Sequence, residues 1–197
     1  MRTRNLIPPA LAILALCSCI PSVEPYYTNA QIVSEDRLAG DWEVTGGKDE
    51  PHLWQFEKPE NKTYKLTVTE EDNKKGEFTA VLFKLHENYF LDLTAAKCEF
   101  ATNQAGLVAV SMILGHLLVR VAQLEPELKL AGFDYDWLKK DLESHPRELA
   151  NRSENDAIVL TASTQDLQRF VLGHLGKGEL FNEPGNLRHV KKAASAQ

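Results

Sequence analysis

Between Gly40 and Leu93 apolar side chains recur at every second position, and short polar turns separate the runs. Tyr64, Leu66 and Val68 alternate with Lys65, Thr67 and Thr69. A period of two marks a half-buried strand, because successive side chains point to opposite faces of a sheet. In the same way Trp42 and Val44 share a face, and Trp54 and Phe56 stand two apart. Phe78, Ala80 and Leu82 alternate with Thr79, Val81 and Phe83, and Tyr89 to Leu93 continues the pattern. Turn clusters at 46–51, 59–62, 70–76 and 87–88 interrupt these runs. Strands joined by connections this short pair antiparallel, so the chain predicts a meander. Residues 33–38 predict a single helical turn leading into the first strand.

Residues 97–105 break the pattern, and 106–122 form the most apolar stretch. His116 and Arg120 fall inside it, and the uninterrupted part, 106–115, is ten residues long. A membrane span needs about 20 residues, so a core strand is expected instead, with Leu117, Val119 and Val121 on one face. Glu125-Pro126 predicts a turn, and Leu128 and Leu130 a return strand. Asp134 predicts the cap of a helix carrying Trp137, Leu138 and Leu142, with Pro146 after its end. Residues 151–156 read as a polar loop and 157–161 as a short strand. Thr164 is expected to cap a second helix whose Leu167, Phe170, Val171, His174 and Leu175 share one face, with Gly176 and Gly178 ending it. Strands followed by helices define an α+β class that is mainly β: a curved or partly closed antiparallel meander, with two helices of the C-terminal half packed on it. The second helix is expected on the concave face, beside Trp42, Trp54 and Tyr64, leaving no large cavity there.

The N-terminus carries an address. Arg2 and Arg4 form a basic region, and Leu6 to Leu16 an apolar segment too short to span a bilayer, as in a secretory signal. Leu16-Cys17-Ser18-Cys19 resembles the lipobox of bacterial lipoproteins. That resemblance, which covers about a tenth of the chain, implies cleavage between Ser18 and Cys19 and diacylation of the Cys19 thiol. In that family an Asp after the cysteine commonly retains the protein at the inner membrane. Ile20 here points to the outer membrane. Removing 1–18 takes away two arginines and no acid, so the net charge of -6 becomes -8. Such a body is not drawn to anionic headgroups, and the acyl chains must hold it at the membrane. The expected organisation is a signal peptide over 1–18, a lipidated anchor and tether over 19–30, one globular domain over 31–190 and a flexible tail over 191–197. With Cys19 acylated, Cys98 is a lone thiol, read as buried and inert.

Gly40-Asp41-Trp42 at the head of the first strand resembles the Gly-x-Trp signature of lipocalins. In that family the Trp plugs one end of an eight-stranded barrel that holds an apolar ligand, and several members are outer-membrane lipoproteins. The family's Thr-Asp-Tyr loop motif has no counterpart here. Trp42, Trp54 and Tyr64 are therefore read either as core or as a ligand-facing wall. No two of the six histidines lie within four residues of each other, so there is no local chelating pair. No Gly-x-Ser-x-Gly elbow, phosphate-binding glycine loop or calcium loop occurs. His116 and His174 read as core or rim histidines, and Asp134 as a cap. These observations assign no catalytic residue, no metal ligand and no cofactor, and the acidic charge argues against nucleic acid. The expected function is a non-catalytic, lipid-anchored envelope binding or interaction protein, held at the membrane through its N-terminal lipid. A lipocalin-like carrier of a small apolar ligand is the alternative. An enzyme whose site is assembled only by the fold is a third.

Overall fold

The computed structural model describes residues 20–45, 53–70, 74–96, 115–154 and 157–190. Eight strands close into an antiparallel barrel. They are β1 (Gly40–Thr45), β2 (Leu53–Phe56), β3 (Thr63–Thr69), β4 (Lys75–Leu85), β5 (Asn88–Ala95), β6 (His116–Gln123), β7 (Leu128–Ala131) and β10 (Gly185–His189). The first seven follow one another as a meander, and β10 closes the ring between β7 and β1. Between β7 and β10 the chain forms α1 (Tyr135–Ser144), the two-stranded sheet β8 (Asn151–Glu154) and β9 (Ala157–Leu160), and α2 (Thr164–His174).

The alternation seen in the sequence sets the inside of the barrel. Trp42, Trp54, Phe56, Tyr64, Leu66, Val68, Leu82, Leu91, Leu93, Val119, Val121, Leu128, Leu130 and Leu187 pack into one buried cluster. Trp42 stands opposite Trp54 in the β1–β2 register, and Trp54 opposite Val68 in the next pair. Outward positions such as Asp41, Glu43, Lys65 and Glu77 are polar. A membrane-spanning barrel has the reverse arrangement, with an apolar band outside and a polar lumen. No helix among the described residues is long and apolar enough to cross a membrane.

Four expectations need correction. The helix carrying Leu167, Phe170 and Val171 packs on the outer wall of the barrel, not on its concave face. With Leu138 and Leu142 of α1 it covers Phe83, Leu85, Phe90 and Leu118, whose side chains point away from the interior. The physical reason is in β4 and β5, which read almost continuously apolar (Ala80 to Phe83, Tyr89 to Leu91) because both of their faces are buried.

Second, the first part of the expected tether is docked. Ile20, Ser22 and Tyr26 are buried. Ser22 exchanges two backbone hydrogen bonds of 2.9 Å with His116, while Leu160 N–H donates to Pro21 and Val23 N–H to Leu160. Apolar Ile20 and Tyr26 gain more from the outer-wall cluster than from water.

Third, residues 151–154 are a strand, not a loop. They form a largely exposed strand paired antiparallel with β9 and have no inward apolar residue to announce them. Fourth, Thr164 is not the cap of the second helix but its first residue, and the cap is Ser163, whose Oγ accepts from Asp166 N–H at 3.3 Å. Thr164 Oγ1 instead donates to the Pro25 carbonyl at 2.7 Å. The signal region with Ser18 and Cys19, Cys98, the apolar run 106–114 and the tail 191–197 lie outside the described residues.

Candidate ligand-binding barrel and its closed end

One end of the barrel is closed by the segment that precedes β1. A 3-10 turn, Asp36–Leu38, inserts fully buried Leu38 beneath the inner cluster. Trp42 Nε1–H donates to the Leu38 carbonyl at 2.9 Å and ties the plug to the first strand. His189, at the end of β10, meets the Trp42 ring edge-on at 4.8 Å between centroids. Gly40 has φ +139°, and a Cβ there would lie 2.5 Å from His189 Nε2. The positive φ favours glycine, so the two fixed residues of the Gly-x-Trp motif each have a mechanical role at the plug.

Polar groups lock this end. Tyr64 Oη donates to the Glu35 carbonyl at 3.0 Å and accepts from Glu35 N–H at 2.8 Å. Tyr89 Oη donates to the Glu35 carboxylate, which also pairs with Arg37 at 2.9 Å. These partners hold the Glu35 carboxyl below the usual carboxylate range, with the Tyr89 hydroxyl the first cause and Arg37 the second. Outside the plug lies an open cleft of about 600 Å³ bordered by Asp36, Arg37, Glu125, Pro126, His189 and the edge of Trp42.

Among the described residues of the inner cluster, Trp42 Nε1 and Tyr64 Oη have partners and one polar atom does not. Trp54 Nε1 is buried and has no hydrogen-bond partner among the described residues. An unpaired buried N–H is unusual, because each forfeits about 1–3 kcal/mol relative to hydration. Trp42, Trp54 and Tyr64, read from sequence as core or ligand wall, therefore come together inside the barrel, with 2%, 1% and 0% exposure. Residues 46–52, 71–73 and 97–114 lie outside the described residues.

On the outer wall Asp92, 1% exposed, accepts from Tyr26 N–H at 3.0 Å through Oδ2 and contacts His116 Nδ1 at 2.7 Å through Oδ1. The carboxylate raises the His116 pKa, outweighing the opposing effect of partial burial. Thr94 Oγ1 lies 3.3 Å from the same Nδ1. Asp92 and Thr94 share this one ring nitrogen, so Thr94 is not placed on the nitrogen opposite the carboxylate, where a relay would activate a hydroxyl. His116 therefore pairs with Asp92, from the neighbouring strand, and not with Asp134, which caps α1 through Trp137 N–H at 2.8 Å. His174 is buried at the end of α2.

No family model, curated protein or solved structure matches the chain. The resemblance to lipocalins rests on the closed meander and on Gly40 and Trp42 alone. Sequence reasoning missed three parts of the closed end. Glu35 and Tyr89 are far apart in sequence and carry no spacing signal. His189 belongs to β10, a strand absent from the sequence reading because Leu187 is its only bulky inward side chain.

Proposed function

We propose that the chain is a non-catalytic, lipid-anchored binding barrel of the bacterial envelope, and that it takes a small, largely apolar ligand with one hydrogen-bond acceptor. The observation that carries this reading is the unpaired Trp54 Nε1–H, buried in the inner cluster of a barrel with one end plugged by Leu38 and Trp42. Among the described residues, α1 and α2 sit on the outer wall, and neither contributes a side chain to the inner cluster. An eight-stranded barrel is wide enough either to be filled by its own side chains or to hold one small ligand. Asp92 is engaged by the Tyr26 amide and by His116, which gives this carboxylate a structural role on the outer wall. Anchoring is supported by the lipobox and by the docking of Ile20: acyl chains on Cys19 would leave the body one residue from a buried position, seating the barrel close against the bilayer. The outer membrane, facing the periplasm, is the expected location.

The test is a fluorescence titration of the chain without residues 1–19, using medium- and long-chain fatty acids. Saturable one-to-one quenching of Trp emission is expected, weakened by Trp54→Phe, which removes the donor and keeps an aromatic ring. The second reading, an envelope interaction module, is favoured by the near-complete burial of Trp42, Trp54 and Tyr64. No saturable quenching by any chain length would sink the carrier reading and leave that one.

A further inference from the structure

The elements on the outer wall bring together three side chains that the barrel does not use. Asp141 lies in α1, Glu148 in the turn after it, and His174 is the last residue of α2. One ligand atom from each lies within 4.8 Å of the others. The His174 side chain is 7% exposed and is held between the rings of Phe170 and Trp137. Its Nδ1 lies 2.9 Å from the Phe170 carbonyl. A carbonyl only accepts, so Nδ1 donates to it, which leaves Nε2 as the ring nitrogen that could offer a lone pair to a metal. That Nε2 faces Glu148 Oε1 at 3.4 Å. Asp141 divides its oxygens: Oδ1 contacts His145 Nδ1 at 3.0 Å, while Oδ2 is buried with no partner. A buried carboxylate oxygen without a partner is as exceptional as an unpaired buried N–H. One positive ion placed among the three groups would satisfy all of them.

We propose that Asp141, Glu148 and His174 form a binding site for a divalent transition-metal cation of the zinc class, clamping the end of α1 to the end of α2. One imidazole nitrogen and two carboxylate oxygens suit zinc, which takes four ligands in tetrahedral geometry and leaves one position here for water. Calcium prefers six to eight oxygens, more than these residues supply. His145 is a positioning residue: it occupies Asp141 Oδ1 and so directs Oδ2 inward. The spacing gave no motif, because the ligands are contributed by two helices and a turn. This site is independent of the barrel's ligand.

The test uses the full chain, its thiols blocked and its metal stripped, titrated calorimetrically with zinc chloride alone and followed by thermal melting. One zinc per chain and a raised melting temperature are expected. Glu148→Gln, at a partly exposed position, is expected to fold as the wild type does and to weaken zinc binding on the order of tenfold or more. Asp141→Asn is expected to do the same, and if it does not fold, Glu148→Gln decides. Absence of saturable zinc uptake, uptake unchanged in Glu148→Gln, or calcium binding that displaces zinc would overturn the proposal. A histidinium–carboxylate contact with no metal would appear as the first of these outcomes.

Discussion

The inner and outer walls of the barrel use the same strands and are completed in different ways. Inside, Leu82, Leu91 and Val119 meet side chains from the other strands and the short plug. Outside, Phe83, Phe90 and Leu118 are covered by residues 20–26, α1, β9, α2 and Phe181, all from beyond the meander. The buried polar residues Ser22, Asp92 and His174 belong to the outer side. The inner wall is uniform, as one sheet closed on itself must be. The outer wall is an assembly of separate segments, and assemblies need polar contacts to fix how their parts align. Carrier chemistry is expected inside, and charge and metal chemistry outside.

The largest expected effect asks whether the outer wall is a core of equal rank. Phe90 and Leu91 are adjacent on β5, point to opposite walls, and are both fully buried. Phe90 stacks on Phe83 at 5.6 Å and contacts Phe181 at 6.1 Å. Leu91→Ala is expected to lower unfolding stability by about 2–5 kcal/mol and Phe90→Ala by about 3–5 kcal/mol, both from urea denaturation. If Phe90→Ala cost less than about 1 kcal/mol, the outer cover would be a loose appendage and the comparison would fail.

The same division explains what could be read from the sequence. Inner-wall strands were legible because alternation is a local signal: Tyr64, Leu66 and Val68 declare their face within five residues. The two helices were legible from caps and periodicity. Which wall α2 covers was not, since its stripe of Leu167, Phe170 and Val171 fits any apolar surface. The deciding evidence, that β4 and β5 are apolar on both faces, was present in Val81, Phe83 and Phe90, but required knowing that the sheet closes. β10 was invisible because one inward Leu187 makes no period. At the site, Gly40 and Trp42 were legible through their motif. Glu35 with Tyr89, Asp92 with His116, and the Asp141 cluster were not, because partners far apart in sequence leave no spacing to read.

A smaller effect tests the polar seam of the outer wall. Asp92→Ala leaves the Tyr26 amide and the His116 ring without their acceptor, and is expected to cost about 1–3 kcal/mol for each group that stays buried. The pH dependence has a definite sign. The folded-state pKa of His116 lies above its unfolded value of about 6.5. The pair's contribution is therefore complete below that value and declines as pH rises through the folded pKa. His116→Gln should flatten this limb of a stability profile measured from pH 5 to pH 9, while Leu91→Ala should lower the profile without changing its slope. Identical slopes in wild type and His116→Gln would show that the ring is not linked to folding.

The smallest effect belongs to the closed end, where the inner wall meets solvent. Glu35 holds the plug by accepting from Tyr89 and pairing with Arg37, but Arg37 is half-exposed, so water screens most of that attraction. The tyrosine contacts to the Glu35 backbone survive any change of its side chain. Glu35→Gln is therefore expected to cost no more than about 1 kcal/mol at neutral pH. Its folded pKa is lowered, so its contribution is present above the unfolded value and is lost as pH falls through the folded one. Wild type and Glu35→Gln should converge in stability as the pH falls through the folded-state pKa of Glu35, a limb opposite in direction to that of His116. Because Trp42 is bonded to Leu38 in the plug, its emission reports the same event. A Glu35→Gln variant whose Trp emission shifts red at neutral pH, with global stability unchanged, would mean that the carboxylate keeps the barrel end shut. An unshifted spectrum would assign that task to Leu38 and the tyrosines alone.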